Sequence, residues 1–184
     1  MKIRPYENKD REYVRFICLN SEGPCDLNEE ERQFILTTYC DYYIEKETEN
    51  CFVAVDNNDK AVGYIICAEN YDRFIKTFTE EYIPRLSSLH KRFAEAAKKS
   101  TELQNKHKKE FPAHLHIDLL PEYQRMGIGT KLVDKLCGHL KGNKIHGVML
   151  TVGSSNNVGK SFYKKYGFIE LDSLPGEVAF GIRL

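Results

Sequence analysis

The stretch from His114 to Leu136, "HLHIDLLPEYQRMGIGTKLVDKL", decides the fold. It opens as an alternating apolar segment, turns at Pro121-Glu122-Tyr123-Gln124, passes Gly127-Ile128-Gly129 and leaves as an amphipathic helix. In a strand, alternation puts His114, His116 and Asp118 on one face and Leu115, Ile117 and Leu119 on the other. Glycine in a helix costs about 1 kcal/mol relative to alanine, so two glycines at a helix start need a reason. The first N–H groups of a helix lack partners within it and lie at the positive end of its dipole, which makes them an anion site. Removing Cβ at Gly127 and Gly129 lets a phosphate approach that backbone, and Arg125 and the Thr130 hydroxyl add donors. Two readings stand at this point: a phosphate or pyrophosphate cradle, or a tight strand-to-helix turn that uses glycine. The segment lacks the Gly-Lys-Ser/Thr ending of a nucleotide P-loop and the third glycine of a dinucleotide fingerprint.

Working outward, "IHGVMLTV" reads as the next strand and "NNVGKSFYKKY" as a helix stopped by Gly167, followed by the strands "FIEL" and "EVAFGIRL". Gly142 and Gly167 stand where glycine closes helices. Upstream, "KIRPY" alternates as a first strand, and Asp10 is placed to cap a helix over "REYVRFICLN", with Tyr13, Val14, Ile17 and Cys18 on one face. Asn28 with Glu31 forms a capping-box start for a second helix reaching about Ile44. "CFVAVDNNDKAVGYIICAE" is a hairpin around Asn57-Asn58-Asp59. Residues 72–110 carry a helical period in a polar sequence, with an interruption expected near Pro84. The order predicts an α/β fold: a mixed central sheet with helices on both faces and a helical insertion before the strand of the opening motif. Ligands of such sheets bind at the carboxyl ends of strands, where Leu119 to Gly129 lies.

With 184 residues and no internal repeat or linker, the chain is expected to form one domain, 1–184. Charge is balanced, 27 Lys and Arg against 27 Asp and Glu, so nothing at the level of the whole chain argues for nucleic acid or an anionic membrane. No apolar run approaches the roughly 20 residues needed to span a bilayer, and the charged N-terminus has no signal-peptide core, so a cytoplasmic location is expected. The six cysteines are scattered without a Cys-x-x-Cys pair and read as buried thiols in a reducing compartment, with Cys25 the exposed candidate. A metal held by His114, His116 and Asp118 has no further ligand to support it, and no metal is expected.

"Gln124-Arg125-Met126-Gly127-Ile128-Gly129" resembles the Q/R-x-x-G-x-G/A signature of the GNAT superfamily of acyl-CoA N-acyltransferases, and "NNVGKSFYKKYGF" (156–168) resembles its downstream N-x-x-A-x-x-x-Y-x-x-x-G-F helix. Asn156, Tyr163, Gly167 and Phe168 match that second motif; Gly159 stands where alanine is usual. More narrowly, the helical insertion and the ending "LPGEVAFGIRL" resemble the acetyltransferase-like domain attached to O-GlcNAcase enzymes and its free-standing bacterial relatives.

The resemblance implies a GNAT fold and acetyl-CoA as co-substrate. The pyrophosphate would meet the backbone of Gln124, Arg125, Met126, Gly127, Ile128, Gly129 and Thr130, and the pantetheine would pair with Leu119 and Leu120 like an added strand. Tyr163 takes the position of the acid that protonates the departing thiolate, and Asn156 that of a residue which contacts the cofactor or orders the helix. His116 and Asp118 are the candidates for the base that takes the amine proton, directly or through water. The implied activity is direct acetyl transfer to a primary amine on a small molecule or peptide. The alternative from another class is a non-catalytic acyl-CoA-binding or protein-interaction module with the same fold. The sheet end at "EVAFGIRL" is a candidate homodimer surface.

Overall fold

The computed structural model describes residues 1–23 and 26–184; Cys25, the cysteine expected to be exposed, lies outside them. The strands are β1 (Lys2–Pro5), β2 (Phe52–Val55), β3 (Ala61–Ala68), β4 (Ala113–Leu119), β5 (Gly147–Gly153), β6 (Ile169–Leu174) and β7 (Glu177–Arg183). They form a seven-stranded sheet in the order β1-β2-β3-β4-β5-β7-β6. Every pairing is antiparallel except β4 with β5, which is parallel.

Helices cover both faces. On one lie α1 (Arg11–Asn20), α2 (Glu29–Leu36), α3 (Tyr42–Lys46) and the insertion, which consists of α4 (Tyr71–Thr77), α5 (Ile83–Leu89), α6 (Lys91–Lys99) and α7 (Glu102–His107). On the other lie α8 (Ile128–Gly142) and α9 (Asn157–Tyr166). Alternation along β3 feeds both layers: Tyr64, Ile66 and Ala68 join the core under the insertion, while Ile65 and Cys67 join the core under α8. The first core is aromatic, built on Tyr42, Tyr43, Phe74, Phe78 and Tyr82, and the second is aliphatic, built on Leu115, Leu132, Leu136 and Leu150. Cys40, Cys51, Cys67 and Cys137 are buried free thiols, and Cys18 is partly buried.

Several local expectations hold in detail. Asn28 Oδ1 accepts from the Glu31 N–H while Glu31 Oε2 accepts from the Asn28 N–H, each at 3.0 Å, which is the reciprocal capping box. The hairpin turns at Asn57–Asp59 with Asp59 left-handed at φ 59°. Gly167 closes α9 at φ 117°.

Others are corrected. Asp10 caps nothing with its side chain at α1; its carboxylate accepts from the two terminal guanidinium nitrogens of Arg4, at 2.6 and 2.8 Å, and from the Glu7 N–H at 2.9 Å. Tyr13 turns to solvent, so Val14 and Ile17 carry the buried face of α1. Gly142 is the last residue inside α8, and the left-handed position beyond it belongs to Lys144. Pro84 does not interrupt the insertion. A π turn over Phe78–Tyr82 widens the helix just ahead of it, which absorbs the missing N–H and the ring's collision with the preceding turn. The break falls instead at His90, in extended conformation, where its Nδ1 accepts from the Arg92 N–H at 3.1 Å to cap α6.

Candidate active site where two strands part

β4 and β5 pair at only two positions, Ala113 with Val148 and His114 with Met149, although each strand is seven residues long. Beyond His114 they separate and leave a wedge between them. β3 follows β4 without a slip from Ala68 opposite His114 to Gly63 opposite Leu119. The Leu120 N–H donates to Val62 O at 3.1 Å, so by antiparallel alternation Asp118 and His116 also turn their backbone groups toward β3. Ile117 and Leu119 therefore turn theirs into the wedge. Of the two residues expected to pair with pantetheine, Leu120 has its N–H engaged by β3 and Leu119 has its carbonyl engaged by Gln124, so the groups left facing the wedge are the Leu119 N–H and the backbone of Ile117.

At the mouth of the wedge the chain passes a single 3₁₀ turn, Pro121–Tyr123, and takes left-handed conformation at Arg125 (φ 60°) and Gly127 (φ 74°) before α8 begins at Ile128. Left-handed turns leading into a helix gather N–H groups into an anion-binding concavity. The first bond within α8 runs from Lys131 N–H to Gly127 O, which leaves the amides just before it without helical partners. The two glycines turn out to have different reasons. A Cβ on Gly127 would project into open space, so this glycine serves the left-handed backbone. A Cβ on Gly129 would meet Phe162 Cζ at 3.2 Å and Leu119 Cδ1 at 3.8 Å, so this one serves the packing of α8 against α9 and the end of β4.

The side chains around the cradle divide likewise. Gln124 Nε2 donates to Leu119 O at 3.0 Å and to Ser21 O at 2.8 Å, tying the loop to β4 and α1. Ile128 is buried in the core and offers only its backbone, whereas Arg125, Met126 and Thr130 are exposed. Among the described residues Arg125 makes no ion pair. Asn156 caps α9, its Oδ1 accepting from the Gly159 N–H at 2.7 Å. A Cβ on residue 159 would press on that cap at 3.1 Å, which accounts for glycine where the family motif has alanine.

The chemistry-bearing side chains meet the wedge from opposite faces. Tyr163 comes from α9, nearly buried against Phe168 and Phe180, with its phenol pushed up by burial and then by the Asp118 charge. Asp118 comes from the insertion face; its Oδ2 accepts from the Tyr64 hydroxyl, and burial raises its pKa to about 6 despite that bond. The Tyr43 hydroxyl lies 3.0 Å from His116 Nε2 and 2.9 Å from His114 Nε2. Burial lowers His116 to about 4 and His114, which also feels His116, to about 3. Both rings are neutral at physiological pH.

On this insertion face a cleft of about 470 Å³ opens along the ends of β5 and β7, lined by Tyr39, Ala96, Lys99, Ser100, His116, Thr151 and Glu177 among others. The insertion thus walls the cleft, with Ala96, Lys99 and Ser100 as its contribution. A larger groove, about 680 Å³, runs outside along α9 past Lys160, Lys164 and Glu170 and touches none of the groups above. Tyr39, Tyr43, Tyr64, Thr151 and Glu177 escaped the sequence reading because each stands in an ordinary helix or strand pattern. Only the polar face of β4 hinted that polar partners lay opposite.

The acetyltransferase (GNAT) family model matches residues 16–168. The chain superposes on the crystal structure of SsHAT with a TM-score of 0.89 at 24% identity, covering 99% of this chain and 97% of that one. For the PaiA N-acetyltransferase of Thermoplasma acidophilum, solved in complex with coenzyme A, the TM-score is 0.62 at 19% identity, covering 100% and 98%. For Ard1 from Thermoplasma volcanium it is 0.65 at 20% identity, covering 100% and 97%. The family match runs from within α1 to the residue after the Gly167 stop, and takes in the wedge, the cradle and α9. The chain belongs to the acetyltransferase (GNAT) family.

Proposed function

We propose that this chain is a single-domain, acetyl-CoA-dependent N-acetyltransferase that moves an acetyl group directly to a primary amine. The observation that carries the reading is the wedge: β4 leaves β5 after two pairs, directly before a left-handed anion cradle. An extended pantetheine would pair with the backbone of Ile117 and the N–H of Leu119, whose carbonyl is held by Gln124, and a pyrophosphate would sit on the amides from Arg125 to Thr130. A β4 N–H aimed at the thioester oxygen would stabilise the tetrahedral oxyanion, a contact worth roughly 3 kcal/mol.

The remaining steps fall to two side chains. Asp118, titrating near pH 6, takes the proton of the attacking amine through water. As nitrogen bonds to the acetyl carbon and the carbon–sulfur bond breaks, the Tyr163 hydroxyl gives its proton to the leaving thiolate. Burial keeps the Tyr163 proton in place at neutral pH, so the phenol is present as a donor when the thiolate departs. His116 is the poorer base, since its pKa is low and Nε2 is occupied by Tyr43. Tyr163→Phe should lower kcat about 100-fold, within the range of general acid catalysis, with acetyl-CoA affinity unchanged by calorimetry. Equal losses in both would remove the acid role.

The helical insertion and the ending "LPGEVAFGIRL" support the narrower kinship with O-GlcNAcase-associated acetyltransferase-like domains. Among the described residues no helix is long and apolar enough to cross a membrane, and a cytoplasmic enzyme acting on a small-molecule or peptide amine fits that. The deciding experiment incubates the protein with acetyl-CoA and a panel of amines while free thiol is followed. Release that depends on the amine supports the enzyme. Tight acetyl-CoA binding without release from any amine supports the acyl-CoA-binding module instead.

A further inference from the structure

Behind the wall of the acceptor cleft lies an arrangement that the transfer chemistry leaves unused: a buried tyrosine hydroxyl between two imidazoles. Tyr43 and His114 are buried, and His116 reaches the cleft. The Tyr43 oxygen has one proton and stands within hydrogen-bonding distance of His114 Nε2 and His116 Nε2. Both imidazoles are neutral, so each carries a single N–H. The hydroxyl can donate to only one Nε2, and the other must donate to it. With N–H on both Nε2 atoms the hydroxyl proton would be stranded; with neither, one ring nitrogen would face the oxygen with no proton between them.

The environment of His114 settles the direction. Its Nδ1 is buried and has no hydrogen-bond partner. An orphaned buried N–H is rarer and costlier than an orphaned acceptor, so His114 keeps its proton on Nε2 and leaves Nδ1 bare. His114 therefore donates to Tyr43, and Tyr43 donates to His116 Nε2. The proton of His116 is then on Nδ1, the ring nitrogen that no protein group among the described residues engages.

We propose that Tyr43 is a positioning residue which fixes His116 in the Nδ1–H tautomer, so that His116 donates a hydrogen bond into the acceptor cleft, and that the acceptor is a primary amine bearing a hydroxyl or carbonyl oxygen two carbons from its nitrogen. In this state His116 has no free lone pair toward the cleft and cannot receive the amine proton. Ser100 and Thr151 line the same cleft, but the Ser100 hydroxyl gives its proton to Ala97 O at 2.8 Å and the Thr151 hydroxyl bonds the Glu177 carboxylate, so the His116 N–H is left to meet an oxygen. The proposal rests on the N-acetyltransferase reading for the acceptor's chemistry, while the tautomer stands apart from it.

The test uses the full chain labelled with ¹⁵N and long-range ¹H–¹⁵N correlations of the histidine rings at neutral pH. The expected pattern is Nδ1–H for His116 and Nε2–H for His114; Nε2–H on His116 overturns the proposal. Adding ethanolamine, with or without coenzyme A present, should shift the His116 Nδ1–H resonance, whereas propylamine should leave it in place. Equal shifts, or none with either amine, also overturn it. With turnover available, His116→Asn keeps an N–H at the same reach and should hold kcat within a few-fold. His116→Leu should raise the KM of an oxygen-bearing amine up to about tenfold, the loss of one hydrogen bond. A collapse of kcat in His116→Asn would mark His116 as the base and reject the donor role. Absence of acetyl-CoA binding to the wild type would instead reject the enzyme reading and leave the tautomer result intact.

Discussion

Gly127→Asp is expected to abolish acetyl-CoA binding while the protein still folds. A Cβ at this position meets nothing, so the variant has no internal clash. The backbone stands at φ 74°, where an L-residue pays roughly 1–2 kcal/mol, less for Asp and Asn, which bond locally to their own backbone. The larger effect is charge. A carboxylate about 4 Å from a bound pyrophosphate repels it by about 4 kcal/mol at an effective dielectric near 20, close to a thousandfold in affinity. Gly127→Asn separates the two effects, with the same backbone demand and no charge, and should weaken binding only a few-fold. Calorimetry with acetyl-CoA reads both, and undiminished binding by the Asp variant would overturn the cradle. Gly129→Ala should act differently: its methyl presses on Phe162, so a lower Tm is expected before any specific loss of affinity.

Asp118→Asn is expected to cost about 10²- to 10⁴-fold in kcat, the range assigned to a general base, and yet to raise Tm. The two effects share one cause. The folded pKa of Asp118, about 6, lies above the unfolded value because burial penalises the charge. Between the unfolded value and about 6 the folded state holds a proton that the unfolded state has released, so this group's contribution to stability falls as pH rises through that window. At pH 7 the ionised carboxylate is a net burden on the fold, and asparagine removes it while still accepting from the Tyr64 hydroxyl. The same titration predicts that kcat/KM drops as pH falls below about 6 in the wild type, and that this acid limb is missing from the residual activity of the variant. An Asp118→Asn protein that is both less stable and unchanged in pH profile would make the residue structural. A destabilising charge kept in place is the pattern expected where activity opposes stability.

The opening stretch was legible because its signals are local. Strand alternation from His114 to Leu119, the break at Pro121 and the helix from Ile128 follow from neighbouring residues alone. The paired motifs around Gly127 and Tyr163 named the family for the same reason, since each is a short run whose spacing is readable along the chain. Where local signals failed, a nonlocal demand had won. Asp10 looks like a cap, but a guanidinium from the neighbouring strand offers its carboxylate a stronger partner. Pro84 looks like a break, but the aromatic core under the insertion holds the helix together and a π turn takes up the misfit.

By itself, then, the chain's order of residues determined the α/β class and the family, and it pointed to the stretch proposed to hold a donor's phosphates. Those features depend on backbone period, on missing Cβ atoms and on turn chemistry within a few residues. Only the tertiary structure decided what each glycine is for, which β4 amides face the wedge, and how His114, His116 and Asp118 differ. The two histidines and the aspartate are equivalent along the strand; burial, Tyr43 and Tyr64 leave His114 sealed in the core, His116 at the cleft and Asp118 with its pKa raised to about 6. Proton affinity depends on what surrounds a group in three dimensions, and those surroundings come from a helix and a strand more than 50 residues away in the chain.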